Sequence, residues 1–373
     1  MNNQLSVLLI GGYGVVGKQV AALLNQYYPD VHIIIGGRNI HTATAFASTL
    51  SKASAIQFDI NAPQLPDNIR PQLIVTLAND PDNRVLHFAI KNQIAYLDIT
   101  RWTDKLKTAI TYTHTFDQLH APIVFSSTWM AGVAASLILR HTLKFKQINS
   151  IDINILYSMQ DNSGINSVDY MDRMLIPFEV IAEGHTQSCM PFSDSRLVSF
   201  TDKKRFRVYR FDTPDQLTLP MLTQARSVST RIGFNSNITN RLFYVLIHSG
   251  FWRLISTQRF KTFRQKLLYN PGKGDEHRIL INITGTNSAN RPIQSILSIT
   301  DPKGQSHLTA IGAFNQIHSI FTQQLSNRVY FGETLPDMNI ATNILKKEGV
   351  KIDFDLYLSE VYRSLQTINS EIF

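Results

Sequence analysis

Short runs of apolar residues alternate with helix-like stretches through the first 128 residues of this 373-residue chain. Each run is short enough for one buried strand, and between the runs apolar residues recur at the three- and four-residue spacing of helices. The six predicted strands cover residues 6–10, 32–36, 55–58, 72–77, 95–98 and 122–125. This rhythm predicts an α/β fold, a doubly wound parallel sheet of Rossmann type with helices on both faces.

The pattern changes after residue 130, where the strands become longer and less regularly separated by helices. Strands are predicted at residues 150–157, 205–210, 216–219, 278–285, 294–301 and 307–310, and helices at 131–141, 163–176, 312–326 and 339–348. We therefore predict two domains: a dinucleotide-binding domain over residues 1–130 and an α+β domain on a mixed sheet over 131–373, for substrate binding or dimerisation. A C-terminal segment, at residues 339–348 or 354–365, is expected to return to the first domain.

A glycine motif lies at the first strand-to-helix junction, where Gly12, Gly14 and Gly17 have the spacing Gly-x-Gly-x-x-Gly. The first glycine permits a tight turn, the second lets a pyrophosphate approach the backbone, and the third brings the helix close to the strand. The unpaired N–H groups of the helix N-terminus favour phosphate. Together with the glycines, the intervening Tyr13, Val15 and Val16 are predicted to bind a dinucleotide.

The end of the second strand indicates which nicotinamide cofactor is bound. Proteins that bind NAD usually have an acidic residue there for the ribose 2′-hydroxyl, whereas this strand ends in Gly36-Gly37-Arg38-Asn39. An arginine can pair with a 2′-phosphate through two hydrogen bonds. We therefore predict that Arg38 and Asn39 bind NADP(H) in preference to NAD(H). Asp59, after the third strand, is predicted either to accept from the adenine amino group or to cap the following segment.

Polar residues also follow strands four, five and six, at the edge of the sheet where the nicotinamide is expected. They are Asn79-Asp80, Asp98-Ile99-Thr100 and Ser126-Ser127-Thr128. Asn79 and Thr100 are predicted to bind the cofactor. Asp98 and Tyr96 are the candidate catalytic residues, although capping of the loops explains such residues equally well.

Three of these segments together resemble the saccharopine dehydrogenase-like NAD(P)-binding oxidoreductases. They are residues 11–17 (Gly-Gly-Tyr-Gly-Val-Val-Gly), 36–38 (Gly-Gly-Arg) and 94–100 (Ile-Ala-Tyr-Leu-Asp-Ile-Thr). In that family a Tyr-x-Asp-x-Ser/Thr run follows the fifth strand, and Tyr96, Asp98 and Thr100 match it. The resemblance covers residues 5–132. It implies nicotinamide-dependent oxidoreductase chemistry, a second domain that covers the cofactor, and pairing of subunits, so a homodimer is expected.

The chain also departs from that family. Relatives often follow the Tyr-x-Asp-x-Ser/Thr run with a small or acidic pair such as Gly-Glu, whereas Arg101-Trp102 follows here. We expect the guanidinium and the indole to lie beside the nicotinamide and to reshape the substrate pocket. Saccharopine is therefore not assigned as the substrate.

Composition limits the remaining classes. The charged share of 17% and the apolar share of 43% are those of an ordinary globular protein. No apolar run is long enough for a membrane span, and no signal peptide is evident, so a cytoplasmic protein is expected. The single cysteine, Cys189, excludes an intramolecular disulfide, and the eleven histidines show no metal-binding spacing.

The net charge of +8 is concentrated in one window. Residues 201–266 contain thirteen Lys or Arg and three Asp. Because the excess is local, we do not expect a nucleic-acid partner. Basic groups of the second domain suit a small-molecule substrate that bears a carboxylate.

The segment 241–268 has two interpretations. It contains six basic residues, many aromatic residues and no acidic residue. An amphipathic helix of this composition could lie on an anionic membrane surface. The interpretation we favour from sequence is a domain or dimer helix with a solvated or substrate-binding basic face.

Together these patterns predict an NADP(H)-dependent oxidoreductase that transfers hydride to or from a carbonyl, an imine or an activated alkene. The alternative is a non-catalytic nucleotide sensor or membrane-associated scaffold of the same fold. The departures at Asn79-Asp80-Pro81 and Arg101-Trp102 keep that alternative open.

Overall fold

The computed structural model describes residues 5–126, 128–161, 173–201, 204–260 and 274–358. These residues divide into two compact units. The first contains residues 5–126, 128–133 and 305–344, and the second contains residues 134–161, 173–201, 204–260, 274–304 and 345–358. Residues 305–344 therefore belong to the same unit as the glycine motif, although they follow it by almost three hundred positions.

The first unit contains a seven-stranded sheet in which every neighbouring pair is parallel. Its strands are β1 (Ser6–Ile10), β2 (His32–Gly37), β3 (Ala53–Gln57), β4 (Leu73–Thr76), β5 (Ala95–Asp98), β6 (Ile123–Phe125) and β15 (Val329–Phe331). The order across the sheet is β15-β6-β5-β4-β1-β2-β3. The central strands are apolar on both sides, as helices on both faces require, and the predicted doubly wound α/β fold is confirmed.

Ten α-helices are described in the two units, and none of them is long and apolar enough to cross a membrane. They are α1 (Val15–Tyr27), α2 (Ile40–Ala47), α3 (Arg84–Lys91), α4 (Thr103–Thr113), α5 (Val133–Thr142), α6 (Asp215–Thr223), α7 (Asn237–His248), α8 (Phe251–Ile255), α9 (Gln305–Thr322) and α10 (Met338–Lys347).

The second unit is built on a mixed seven-stranded sheet in the order β10-β11-β12-β7-β13-β14-β16. Its strands are β7 (Gln147–Tyr157), β10 (Arg196–Thr201), β11 (Lys204–Arg210), β12 (Ser227–Phe234), β13 (His277–Thr286), β14 (Pro292–Asp301) and β16 (Lys351–Leu358). Only β12 and β7 pair in parallel. A separate hairpin joins β8 (Phe178–Ala182) to β9 (His185–Cys189). The predicted mixed sheet is therefore confirmed.

Buried and half-buried side chains alternate along β13 of the second sheet. Along β13, Ile279, Ile281 and Ile283 are buried, while the alternate residues are half-buried: Arg278, Leu280, Asn282 and Thr284. This period of two is the pattern of a sheet with one face on the core. The pattern identified β13 and β14 in the sequence nearly to the residue.

Two predicted strands are wrong, and both lie in helices. Residues 216–219 belong to α6, which follows Pro214, and residues 307–310 belong to α9, which begins directly after Gly304. A run of four apolar or polar residues cannot distinguish a strand from one turn of a buried helix. Gly304 has a φ of +97°, so it ends the preceding turn and lets the helix start earlier than predicted.

Strand β15 was not predicted from the sequence; it has only three residues and pairs with β6 at the sheet edge. Of the predicted C-terminal segment 354–365, residues 354–358 lie in β16, which pairs with β14 in the second sheet. The rest of that segment, most of the predicted helix 163–176 and Ser127 lie outside the described residues.

Candidate functional site

The turn between β1 and α1 is built so that no side chain fits inside it. A Cβ at Gly17 would lie 2.7 Å from Gly12 Cα, and one at Gly12 would lie 2.9 Å from the Leu9 carbonyl oxygen. Gly11 has a φ of +80° and meets the loop after β4, where Ala78 Cβ would lie 3.2 Å from its added Cβ. The loops that follow β1 and β4 therefore meet at the point where the strand order reverses, which is where open α/β sheets bind ligands.

The N-terminus of α1 is left open to an anion. Its N-cap is Gly14, which has an exposed backbone, offers no capping side chain and is followed by no acidic residue in the first turn. Val15 and Val16 form that first turn and are half-buried. The first N–H groups of a helix have no intrahelical partner and carry partial positive charge. The turn thus fits the pyrophosphate of a dinucleotide.

Tyr13 covers the end of β2. A Cβ at Gly37 would overlap the Tyr13 ring, so only glycine permits this contact. The backbone N–H of Asn39 donates to the Tyr13 hydroxyl at 3.2 Å, and the Asn39 side chain accepts from Thr42 N–H at 3.1 Å, which caps α2. Arg38 lies between Gly37 and Asn39 in the sequence, and its side chain is exposed. The residues predicted to hold the adenosine ribose are thus together at one edge of the sheet.

Asp59 caps its own loop. Its Oδ1 accepts from Asn61 N–H at 2.9 Å, and its carbonyl oxygen accepts from Ala62 N–H at 3.2 Å. Its side chain remains exposed. The two roles predicted for Asp59 are therefore compatible, because capping uses only one carboxylate oxygen.

Asp98, at the end of β5, is fully buried, and both of its carboxylate oxygens are engaged. Oδ1 accepts from the Thr100 N–H at 2.8 Å and from the Thr100 hydroxyl at 2.7 Å. Oδ2 accepts from the Tyr96 hydroxyl at 2.8 Å. The catalytic role predicted for Asp98 and Tyr96 stays a prediction, but neither side chain reaches the surface in this conformation.

Arg101 is inside the unit, and our expectation that its guanidinium lines a substrate pocket is wrong. Its side chain is 1% exposed. Nε lies 2.7 Å from Asp98 Oδ2, Nη2 lies 3.4 Å from Asp80 Oδ2, and Nη1 donates to the Asn83 side chain. The guanidinium also lies 5.6 Å from the centre of the Phe125 ring. Arg101 therefore ties the loop after β4 to the loop after β5.

Asp80 completes this buried cluster from the other side. Its carboxylate accepts from the N–H groups of Arg84, Val85 and Leu86 at 2.9, 3.0 and 3.2 Å. These are the first three residues of α3, so Asp80 acts as a carboxylate cap on the helix. Asn83, which immediately precedes α3, has a left-handed φ of +59°. This cap was not predicted from the sequence, although an Asp a few residues before an apolar helical pattern is its usual signal.

The cluster of Asp80, Tyr96, Asp98 and Arg101 is coupled electrostatically. Burial raises the pKa of Asp80, and the Arg101 charge only partly offsets this effect. Burial, together with the Asp98 carboxylate, raises the pKa of Tyr96 well above its usual value. Burial would lower the pKa of Arg101, but Asp98 and Tyr96 reverse that effect and raise it. The guanidinium is therefore held charged between the two aspartates.

The loop after β6 is strained. Met130, Ala131 and Gly132 all have left-handed φ values, of +55°, +47° and +81°. Such conformations cost about 1–2 kcal/mol per non-glycine residue. Helix α9 holds the loop: the Gln316 side-chain amide donates to the Ala131 carbonyl oxygen at 2.8 Å, and a Cβ at Gly312 would overlap the Met130 and Ala131 carbonyl oxygens.

The residues near the predicted nicotinamide position differ in exposure. Asn79 and Thr100 are half-buried, whereas Ser126 and Thr128 are buried. The Ser126 hydroxyl accepts from the Gln316 side chain of α9. Within the described ranges no group of three His, Cys, Asp or Glu is arranged to hold a metal ion.

Several arginines of the basic window are engaged within the second unit. Arg231 is buried, and its guanidinium lies 2.5 Å from Asp194 and 3.3 Å from Asp152. Arg210 lies 2.9 Å from Asp194 as well. These ion pairs neutralise part of the positive charge that the sequence places in this region.

Comparison with solved structures identifies the fold. Apo saccharopine dehydrogenase (L-Glu forming) from Saccharomyces cerevisiae has a TM-score of 0.63 and 10% identity, covering 94% of this chain and 99% of that one. A dehydrogenase from Chromobacterium violaceum has a TM-score of 0.43 and 10% identity, covering 99% of each chain. Myo-inositol dehydrogenase from Corynebacterium glutamicum has a TM-score of 0.44 and 12% identity, covering 94% of this chain and 98% of that one.

The first of these likenesses confirms, at the level of the fold, the resemblance that the sequence motifs indicate. No protein-family model matches the chain, and no curated protein sequence matches it.

Proposed function

We propose that this protein is an NADP(H)-dependent oxidoreductase that transfers hydride to or from a carbonyl, an imine or an activated alkene. The observation that carries the proposal is the turn between β1 and α1, where added Cβ atoms at Gly12 and Gly17 would overlap backbone and the helix N-terminus carries no cap. The strand order and the saccharopine dehydrogenase fold support the same proposal. The cofactor, when bound, supplies the hydride chemistry.

The preference for NADP(H) rests on the end of β2. The exposed Arg38 offers a guanidinium for a 2′-phosphate, and the Tyr13 ring occupies the position where a side chain at Gly37 would lie. Residues 36–39 include no Asp or Glu that could bind a free 2′-hydroxyl. Asn79 and Thr100, both half-buried, are proposed to contact the nicotinamide half. The positive charge of residues 201–266 supports a substrate that bears a carboxylate. We also propose that the protein acts in the cytoplasm.

The experiment is a fluorescence titration with NADPH and NADH on the wild type and on Arg38→Ala. We expect tighter binding of NADPH, and Arg38→Ala should weaken it by about ten- to hundred-fold while leaving NADH affinity nearly unchanged. The matched control is Arg70→Ala, because Arg70 is also exposed and lies before β4, at the opposite edge of the sheet. Binding of neither nucleotide would refute the proposal, and NADH binding at least as tight as NADPH binding would refute the cofactor preference.

A second function is favoured by one observation. Asp98 and Tyr96, the candidate catalytic residues, are fully buried and hydrogen-bonded to each other. This arrangement suits a nucleotide-binding sensor that performs no reaction. NADPH oxidation measured across a panel of 2-oxo acids with amines distinguishes the two functions: turnover supports the oxidoreductase, and tight NADPH binding without turnover supports the sensor.

A further inference from the structure

Helices α7 and α8 of the second unit form a helical hairpin around Gly250, which has a φ of +80°. Its inner side is anchored in the unit. Phe243, Ile247 and Trp252 are buried, and the Phe243 and Trp252 ring centres lie 5.8 Å apart. The Asn240 side chain, also buried, accepts from Phe234 N–H at 2.7 Å and donates to the Phe234 carbonyl oxygen at 2.9 Å.

The outer side of the same helix is apolar as well. Ile238, Leu242 and Val245 are separated by four and three residues, so they form one stripe along α7, opposite the anchored face. Their exposed fractions are 84%, 55% and 51%. On α8, Phe251 and Leu254 are 51% and 61% exposed. A surface helix normally carries polar residues opposite its buried face. Here apolar residues occupy that position and are exposed to solvent.

The charges around the stripe have a single sign. Arg241, Arg253 and Arg259 are exposed, and there is no Asp or Glu from residue 235 to residue 260. The aromatic residues Tyr244 and Phe260 are about two-fifths exposed. Exposed bulky apolar and aromatic residues among arginines are the composition of helices that lie in the interface of an anionic membrane.

A second copy of the chain fits this surface less well. In a two-fold symmetric contact the same patch faces itself, so Arg241, Arg253 and Arg259 would face a patch that carries the same three arginines and, from residue 235 to residue 260, no acidic residue. Juxtaposed like charges oppose such an association. The phosphates of anionic lipids, by contrast, offer the opposite charge to every one of these arginines.

We propose that the outer face of α7 and α8 binds to the surface of anionic membranes, with Ile238, Leu242, Val245, Phe251 and Leu254 inserted among the headgroups and the three arginines paired with lipid phosphates. The interpretation favoured from sequence, a helix with a solvated basic face, did not account for an exposed apolar stripe. This binding does not depend on the proposed nucleotide chemistry.

The test is co-flotation of the full chain with vesicles, without nucleotide. One set contains phosphatidylcholine alone, and the other contains equal parts of phosphatidylcholine and phosphatidylglycerol. We expect binding to the second set only, and weaker binding as salt screens the arginines. Failure to float with the anionic vesicles would overturn the proposal, and equal binding to both sets would overturn the role of the arginines.

Two variants separate the apolar and the charged contributions. I238Q/L242Q/V245Q should lower the affinity for anionic vesicles at least about ten-fold. R241Q/R253Q/R259Q should lower it about a hundred-fold, since each basic residue near such a surface contributes about five-fold. Leu143→Gln/Met221→Gln is the matched control, because both residues are highly exposed and lie outside the hairpin. It should bind like the wild type.

The oligomeric state in the absence of lipid tests whether a second copy of the chain, rather than a membrane, covers the stripe. Light scattering of the wild type and of I238Q/L242Q/V245Q is measured at the same protein concentrations. A dimer that becomes monomeric in this variant would show that the stripe is a subunit contact and would overturn the proposal. An unchanged oligomeric state, together with lost flotation, is the result we expect.

Discussion

The sharpest consequence of the site geometry concerns Arg101. Its side chain is 1% exposed, and the side chains of both ion-pair partners, Asp80 and Asp98, are completely buried. Arg101→Met keeps most of the length and volume of the side chain but removes the guanidinium. Two buried carboxylates then remain without their shared cation. Removing one partner from a buried ion pair costs about 3–5 kcal/mol, because the remaining charge stays desolvated.

The measurement is urea unfolding followed by tryptophan fluorescence. The chain has three tryptophans, and in a Trp252→Phe background the remaining two, Trp102 and Trp129, lie in the first unit. With a slope of about 2 kcal/mol per molar urea, the predicted loss moves the midpoint down by about 1.5–2.5 M. The control is Lys52→Met, which removes an ion pair with Asp30 in the same unit, 2.5 Å long but exposed on both sides. It should leave the midpoint nearly unchanged.

Two further arms identify the cause of the loss. Adding Asp98→Asn to Arg101→Met removes one unpaired charge and should recover about 1–3 kcal/mol. Lowering the pH should also reduce the difference in the free energy of unfolding between Arg101→Met and the wild type, because protonation of the aspartates removes the same unpaired charge. A loss below about 1 kcal/mol, or a double variant less stable than Arg101→Met alone, would refute the reasoning.

Three other predictions follow from single contacts. Gly17→Ala places a Cβ against the backbone of Gly12 and should abolish NADPH binding in a titration. The control is Gly184→Ala, where the added Cβ has no other atom within 4 Å, and this variant should still bind NADPH. Ala131→Gly removes the backbone strain of a left-handed alanine and should raise the free energy of unfolding, measured in urea, by about 1 kcal/mol. An unchanged unfolding midpoint would show that Ala131 is not strained. Burial lowers the pKa of His277 to about 3, so the folded state stays neutral while the unfolded chain takes up a proton below about pH 6.5. His277 should therefore contribute a loss of stability of up to about 1.4 kcal/mol per pH unit between pH 6 and 4, and His277→Gln should make the pH dependence of the free energy of unfolding shallower by that amount.

Much of the first unit could be predicted because its signals are local. The apolar run 6–10, the glycines that follow and the helix after them are neighbours in sequence, and each glycine is required by a contact within the same turn. The order of the strands then follows from the general rules for parallel sheets. Helix α9 could not be placed in this way. It packs on α1 through Gln19 and Ser306, 3.0 Å apart, and Tyr28 and His318, 2.5 Å apart, which are pairs separated by almost three hundred residues.

The hairpin of α7 and α8 also could not be oriented from its sequence. The sequence of residues 241–268 indicated an amphipathic helix, but periodicity alone did not show which apolar side was inside. The hydrogen bonds of Asn240 with Phe234 fix the orientation of α7 and turn Leu242 and Val245 outward. One buried amide thus determines which apolar stripe is left at the surface.

The residues at the carboxyl ends of the strands divide by burial rather than by chemistry. Polar groups gather at this edge both to bind ligands and to brace the loops, and the two uses have the same residue types. Arg101 forms ion pairs with both Asp80 and Asp98 inside the unit, so these three residues brace the loops after β4 and β5. Asn79 and Thr100 belong to the same two loops and remain half-buried. We therefore expect substitutions at Asn79 to change the affinity for the cofactor. Substitutions at Arg101 should change stability first, and cofactor affinity only as a consequence.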